Sequence, residues 1–321
     1  MVVVLNWNRA SDTLECLDSV ARMTASPTVV VIDNGSSGDD VEAFDRWGRS
    51  HGMTSRRERP EEFGSPPTEH DLVLIENGDN LGYAGGNNVA LRRATKWNYD
   101  WALVLNNDTT VPPDLLPQLA ATAESRPRVG MVSCRIASGD ARRYPPYEGG
   151  MLRYRLGVHW LKRWHGRNGN QEVNFVPGCA AFLSVTMLRD IGLFDERFFL
   201  YSEDVDLSYR AARAGWSLLL NLDTTVDHAL AASSGGYRNP VYYYYVTRNT
   251  WLFIQDRLPG VSRWMSFLFF GLQTAARMVI WALSGRRGHM RAVRYGCRDF
   301  LRRRFGPAPA EVASIGSAGS R

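Results

Sequence analysis

The sequence predicts an α/β fold with a mostly parallel central sheet flanked by helices. Three observations lead there. Short, continuous apolar runs recur, notably Val2-Val3-Val4-Leu5, Val29-Val30-Val31-Ile32 and Trp101-Ala102-Leu103-Val104-Leu105, with a helical pattern separating the first two. Each run stops in carboxamides and carboxylates: Asn6-Trp7-Asn8, Asp33-Asn34 and Asn106-Asn107-Asp108. At 321 residues, 44% hydrophobic and 22% charged, the chain can bury a large core as one large domain or one domain plus an appendage. In open α/β sheets ligands bind beyond the carboxyl ends of the strands, so the polar endings are the candidate site.

The net charge of +5 is unevenly placed. Arg286, Arg287, Arg291, Arg294, Arg298, Arg302, Arg303 and Arg304 crowd the last stretch, which points to a local anionic partner. Cys16, Cys134, Cys179 and Cys297 are far apart and make no CxxC pair, so a zinc or disulfide framework is not expected and a reducing compartment fits. Met1 leads straight into the first apolar run without a charged leader. The expectation is therefore a chain that begins inside its first strand, with the natural start upstream.

In chain order, Val2 to Leu5 is a buried strand. Asp12, with Glu15 three residues on, is expected to cap a helix whose apolar face is Leu14, Leu17, Val20 and Ala21. Val29 to Ile32 is the second strand, and strand, helix, strand opens a parallel sheet. Residues 49–70 are rich in Arg, Glu, Pro and Ser without periodicity and are expected to be a mobile surface insertion. A strand from Asp71 to Glu76 precedes Asn77-Gly78-Asp79-Asn80-Leu81-Gly82-Tyr83-Ala84-Gly85-Gly86-Asn87-Asn88, read as a glycine-rich turn before a helix from about Val89 to Lys96. Such a turn lets backbone N–H groups approach an anion, although it has neither the Walker lysine nor a GxGxxG spacing.

The run from Trp101 delivers Asn106, Asn107 and Asp108 to a strand end. A carboxylate there, between carboxamides and Thr109-Thr110, suits a hard divalent cation carrying phosphate oxygens; an Asx-rich turn is the plainer alternative. A helix from Asp114 to about Glu124 and a strand from Val129 to Cys134 follow. Pattern is lost over 137–172, where Tyr144, Tyr147, Tyr154, Trp160 and Trp164 sit among Arg and Gly; an acceptor-binding loop and a packed flap both fit.

Phe175 to Leu183 is apolar, and a short helix from Met187 to Ile191 follows. Glu203, Asp204 and Asp206 then lie in the first turn of an amphipathic helix that runs to about Ala214. Capping explains one acid there; three behind an aromatic cluster suggest a carboxylate kept ionised as a general base. Trp216 to Leu222 is a further strand, and His228 beyond it is a candidate metal ligand or a structural histidine. Tyr242 to about Asp256 is a helix carrying Arg248 and Asn249. Trp264 to Leu283 is apolar and near the spanning length of about 20 residues. Gln273, Arg277 and the flanking arginines favour a helix lying in a membrane interface, against the alternative of a helix packed on the core. Residues 306–321 are expected to be a disordered tail.

Taken in order, VVVLNWN, VVVIDNGSS, NLGYAGGNN, LVLNNDT, VPGCAAFL, GLFDERFFLYSEDVDLSYR and a later His resemble family 2 glycosyltransferases of the GT-A fold, in the rhamnosyltransferase-like branch. The resemblance runs from Val2 to about Arg257. It implies a catalytic domain over 1–240, followed by a C-terminal helical, membrane-associating region over 241–305. It implies that Leu5, Trp7 and Asp33 hold the base and ribose of a nucleotide-sugar donor, and that Asn80, Gly85, Gly86 and Asn87 lie against ribose and diphosphate. Asp108, beside Asn107, would be the surviving acid of the metal motif, whose first acid is here Asn106. His228 would complete the sphere of Mg²⁺ or Mn²⁺. Asp204 would be the general base, with Glu203 alongside.

The activity so implied is inverting transfer of a sugar, with dTDP-L-rhamnose as donor and a polyprenyl-diphosphate-linked glycan as acceptor. The place would be the inner face of the cell membrane, in cell-wall or surface polysaccharide synthesis. UDP-galactofuranose and UDP-N-acetylglucosamine are alternative donors. A sugar-nucleotide pyrophosphorylase would need a Gly-rich, Arg-containing loop after the first strand, which is absent. A non-catalytic membrane scaffold is at odds with intact Asp108, Asp204 and His228. Nucleic acid is not an expected partner, since the basic residues flank an apolar helix instead of an aromatic stacking platform. Self-association is left open.

Overall fold

The structure is a computed structural model that describes residues 1–68, 70–137, 150, 168–229 and 239–318. Most of the expected acceptor segment, and Leu230 to Gly236 after His228, lie outside the described residues.

The apolar runs form a ten-stranded sheet. Its strands are β1 (Val2–Asn6), β2 (Val29–Asp33), β3 (Thr54–Glu58), β4 (Asp71–Glu76), β5 (Trp101–Asn106), β6 (Thr109–Thr110), β7 (Val129–Ala137), β8 (Asn170–Val173), β9 (Ala180–Ser184) and β10 (Ser217–His228). The order is β3-β4-β2-β1-β5-β9-β7-β10-β6, with β8 beside β10. The half from β3 to β5 is parallel, while β9 runs antiparallel to both β5 and β7.

Side chains alternate across this sheet and explain why the strands are apolar throughout. Val2, Val4, Leu72, Leu74, Leu103 and Leu105 enter one core with Leu17, Phe44 and Leu115. Val3, Val30, Val73, Ala102 and Val104 enter the other with Leu91, Leu188 and Leu207. The first face is covered by α1 (Ala10–Ala21), α2 (Asp40–Ser50) and α4 (Leu115–Glu124). The second is covered by α3 (Gly82–Lys96), α5 (Val185–Ile191) and α6 (Glu203–Arg213). The chain leaves β1 for β2 on one side and later returns to β5 on the other. A crevice therefore opens beyond the C-terminal ends of these strands.

Four local expectations are corrected. Asp12 does not cap α1: the residue before that helix is Arg9, and the Asp12 carboxylate pairs with the Arg9 guanidinium instead. The stretch 49–70 is not a featureless insertion. It completes α2 and supplies the edge strand β3, and Arg93, wholly buried on α3, binds Glu58 at 3.0 Å as well as Arg59 O at 2.8 Å. The glycine-rich segment is helical from Gly82 onward, so Gly85, Gly86, Asn87 and Asn88 lie on α3 instead of a loop. The small-residue tail forms α10 (Ala310–Ala318), with Val312 buried against Tyr244 and Tyr245.

Beyond the sheet, α7 (Pro240–Arg257) starts where Asn239 Oδ1 accepts from Val241 N at 2.9 Å and Pro240 occupies the first turn. It is followed by α8 (Gly260–Leu283) and α9 (Arg287–Leu301). Trp251 of α7 stacks on Phe267 and meets Phe270 edge-on, fixing one face of α8. The opposite face exposes Val261, Trp264, Met265, Leu268, Leu272, Ile280 and Leu283. Among the described residues α8 is the one helix long and apolar enough to cross a membrane.

Candidate functional site

The polar strand ends form one connected network. Asn6, wholly buried at the end of β1, sends its amide nitrogen to Asp33 Oδ1 (3.0 Å) and Asp40 Oδ2 (2.8 Å) and accepts from Thr13 Oγ1 at 2.7 Å. Asn107 Nδ2 donates to the same Thr13 hydroxyl at 3.0 Å, joining the β1 and β5 ends. Asp33 Oδ2 also accepts from Ser36 N, three residues on, at 3.0 Å, which fixes the buried carboxylate. Trp7 projects beside it and is 47% exposed, an indole face open to a ligand.

Asn34 is a second hub. Its amide nitrogen donates to Asn80 Oδ1 at 3.0 Å, and its oxygen accepts from Asn77 Nδ2 (2.9 Å) and Leu81 N (3.1 Å). Asn80 in turn accepts from Gly82 N at 2.8 Å, so its side chain shapes the entry to α3. Gly86 lies against Leu5: a Cβ there would come within 2.5 Å of Leu5 Cδ1. Gly85 faces Leu81 of its own turn, and Asn87 donates to Tyr83 O while its buried Oδ1 has no partner.

After β5 the chain turns through Asn107 and Asp108 into β6. The antiparallel register of β6 and β10 sets His228 opposite Thr109. A register shift between Asn221 and Thr225 carries β10 to that point. His228 Nε2 thereby lies 2.9 Å from Asp108 Oδ1 and 3.0 Å from Asn106 Nδ2, while its buried Nδ1 has no partner among the described residues. An imidazole nitrogen and a carboxylate oxygen at that distance share a proton or face a common cation. Adjacent ligands of an octahedral ion with bonds of about 2.1 Å stand about 3 Å apart, so the pair fits. Among the described residues no third His, Cys, Asp or Glu joins it. Burial pushes the Asp108 carboxyl up, but the hydrogen bond and charge of His228 outweigh it and hold it below the ordinary range.

The segment before β9 links the β5 end to the first turn of α6, since Cys179 O accepts from Asn106 N at 3.0 Å and the adjacent Gly178 meets Asp204. Asp204 Oδ2 accepts from Gly178 N at 3.1 Å, and Oδ1 accepts from Val205 N at 2.8 Å. Tyr83 OH donates to Gly178 O at 2.6 Å, tying α3 to the same turn. Burial pushes Asp204 up to about 6 despite its two backbone donors. Burial first, then the Asp204 charge, push Glu203 well above the usual range. Glu203 Oε2 is buried without a partner among the described residues. Asp206 plays a different part, since its Oδ2 meets Arg210 Nε at 2.8 Å and its Oδ1 meets the Arg257 guanidinium.

The segment before α6 is backbone-strained. Phe199, Tyr201 and Ser202 have φ of 64°, 66° and 74°, a region non-glycine residues avoid. An open depression lined by Tyr209, Arg210, Arg213 and Arg257 lies at the other half of α6 and is no part of this site.

The structure thus places the acids, the histidine and the glycine segment at the strand ends and the α6 terminus. Sequence reading missed Asn6, Thr13 and Asn34, which hold the site's shape. Their only signal was position, two of them at strand ends directly beside singled-out residues.

Comparison with known proteins agrees with this architecture. A model described as Glycosyl transferase family 2 matches residues 1–192, and one described as Glycosyl transferase family group 2 matches 101–304. An N-acetylglucosaminyl-diphospho-decaprenol L-rhamnosyltransferase of Mycobacterium tuberculosis is 29% identical over 213 residues, 59% of this chain and 69% of that protein. The low-salt glycan biosynthesis hexosyltransferase Agl10 of Haloferax volcanii is 25% identical over 217 residues, 66% of this chain and 61% of that protein. Among solved structures, S. aureus TarS 1-349 with UDP-GlcNAc superposes with a TM-score of 0.58 at 16% identity, covering 98% of this chain and 82% of TarS. The mannosyltransferase PcManGT of Pyrobaculum calidifontis, solved with GDP-Man and Mn2+, gives 0.56 at 17% identity, covering 94% and 86%. These neighbours share the GT-A fold. With both models each spanning more than half of the chain, this protein belongs to glycosyl transferase family 2.

Proposed function

We propose that this protein transfers a rhamnosyl group, with inversion, from dTDP-L-rhamnose to a hydroxyl of a polyprenyl-diphosphate-linked glycan. The observation that carries the reading is Asp204, a carboxylate fixed by two backbone N–H groups and pushed up to about 6 by burial. Such a group is ionised at neutral pH yet basic enough to take a proton, which is what a general base requires. It removes the proton from the acceptor oxygen as that oxygen bonds to the anomeric carbon. The carbon–oxygen bond to the diphosphate breaks, and its electron pair leaves with the diphosphate. One displacement inverts the centre and needs no covalent carboxylate intermediate.

Glu203 stands beside the base, its carboxyl pushed well above the usual range by burial and then by the Asp204 charge. Trp7, Leu5 and Asp33 take the base, and the α3 entry at Asn80 to Asn87 borders the diphosphate. Asp108 and His228 would hold Mg²⁺ or Mn²⁺, whose charge when bound offsets that developing on the leaving group. The rhamnosyl donor and lipid-linked acceptor are supported by the name of the mycobacterial relative. An acceptor with a lipid anchor agrees with the exposed apolar face of α8 and the exposed arginines of α9, which support an enzyme working at the inner face of the cell membrane.

The test is a panel of dTDP-L-rhamnose, UDP-galactofuranose and UDP-N-acetylglucosamine, with Mn²⁺ or Mg²⁺ and a polyprenyl-diphosphate N-acetylglucosamine acceptor. Rhamnosylated product of inverted anomeric configuration supports the reading. Turnover of another donor alone, or retention of configuration, overturns it.

A further inference from the structure

Three carbonyls just ahead of the α6 acids are gripped by one side chain. Asn249 Nδ2 lies 2.9 Å from Phe198 O, 2.9 Å from Leu200 O and 2.6 Å from Tyr201 O. Its neighbour Arg248 is wholly buried and adds Nη2 to Phe198 O at 2.9 Å. Arg248 Nε donates to Asn249 Oδ1 at 3.0 Å, which fixes the amide so that its nitrogen faces the turn. Nη1 reaches the other way, to Gly306 O at 2.7 Å.

Among the described residues Arg248 has no carboxylate partner; the rings of Tyr244 and Tyr245 lie 5.3 and 5.1 Å from its guanidinium carbon. A desolvated guanidinium without a counter-ion is expensive, so this is a costly way merely to fill space. What it holds is the strained segment. Phe199, at the centre of a γ-turn closed by Leu200 N to Phe198 O at 2.7 Å, and Tyr201 and Ser202 are all at positive φ and keep that conformation only if their surroundings impose it. The turn is also pinned from the donor side: Phe199 O accepts from Ala84 N at 3.3 Å, and a Cβ on Gly82 would come within 2.4 Å of that oxygen.

We propose that Arg248 and Asn249 are positioning residues for the transfer step. They hold Phe199, Tyr201 and Ser202 at positive φ and so fix where the α6 terminus presents Glu203 and Asp204. The inference rests on Asp204 being the base. The clamp acts on the base and not on the donor, so its loss lowers turnover and leaves nucleotide affinity in place.

The experiment uses Asn249→Ala and Arg248→Lys in the full chain. It reads turnover with dTDP-L-rhamnose, dTDP affinity by calorimetry, and hydrogen exchange over residues 199–206. Turnover is expected to fall about 30-fold or more, since a displacement of about 1 Å is enough for a loss of that order. dTDP affinity should stay within about twofold, and exchange over the turn should speed up about tenfold. Adding Ser202→Gly, which makes the left-handed conformation free of steric cost, should return about fivefold of the turnover. A merely structural role would lower global stability and be indifferent to that rescue.

Turnover within about twofold of wild type in both variants, or no rescue, overturns the proposal. Unchanged exchange over the turn overturns it independently of any donor. If Asp204→Asn retains transfer, the base assignment itself fails; if Asp204→Asn is inactive while the clamp variants turn over normally, only the positioning inference fails.

Discussion

His228 Nε2 lies 2.9 Å from Asp108 Oδ1, the first residue delivered by the end of β10 and the second by the turn after β5. The pairing of Asp227 with Thr110 and of His228 with Thr109 makes this contact a consequence of strand register. Asp108→Ala and His228→Ala are each expected to raise the Mn²⁺ concentration needed for dTDP binding by about tenfold or more, judged from ligand-shell effects on metal affinity. Calorimetric titrations of dTDP at varied Mn²⁺ measure this. Unchanged metal dependence in both variants would count against the pair.

Asp204→Asn is expected to lower turnover by roughly 10²–10⁴-fold while sparing donor affinity. Because the carboxylate must be ionised to accept a proton, activity should rise as pH rises through about 6. The same group has a stability signature. Its folded pKa lies above its ordinary value of 3.8, so the native state binds the proton more tightly than the unfolded chain. Its contribution therefore favours folding at low pH and is lost as pH climbs toward about 6. The stability of Asp204→Asn minus that of wild type should grow by roughly 2–3 kcal/mol between pH 4 and 7. Denaturant melts at both pH values would reveal a flat difference if the carboxyl were not buried as described.

Asp206, for all its nearness to the other two acids, is expected to matter for folding first. It is wholly buried between Arg210 and Arg257. Asp206→Ala leaves Arg210 with backbone carbonyls in place of its carboxylate and Arg257 with Asp195, and should cost about 3 kcal/mol. Urea unfolding would show this, and a loss below about 1 kcal/mol would contradict the ion-pair assignment.

Leu268 and Leu272 stand on the exposed face of α8, with Trp264 one turn before them. Leu268→Glu with Leu272→Glu should weaken binding to anionic phosphatidylglycerol vesicles by about tenfold or more, from about 1.5–3 kcal/mol per buried leucine. Cosedimentation measures it, and retained binding would sink the interface role. Point changes are the cleaner probe here than truncation after Val261, because removing α9 and α10 would strip the packing around Arg248 and Tyr244.

The alternation that made the strands readable also made the two-sided core readable. Val2 and Val4 serve one face, Val3 the other, and nothing but a covered sheet accommodates that run. The helix at Gly82 was not readable in the same way. Glycines and asparagines have poor helix propensity, and what overrides it is Asn34 and Asn80 ordering the entry and Leu5 packing against Gly86. Thr54 to Glu58 was equally hidden, since an edge strand with Arg56 and Arg57 has no apolar alternation; its partner β4 and the Glu58–Arg93 pair make it a strand.

The sequence by itself determined the layers of the fold and which strand ends carry chemistry, because apolar periodicity and polar endings are local properties of the chain. Only the tertiary structure decided how those ends are held. The pairing of His228 with Asp108, the proton affinity of Asp204 and the grip of Asn249 on Tyr201 depend on register, burial and contacts between residues far apart in sequence. No local pattern encodes the dielectric around a carboxylate, nor which distant amide will meet a strained carbonyl.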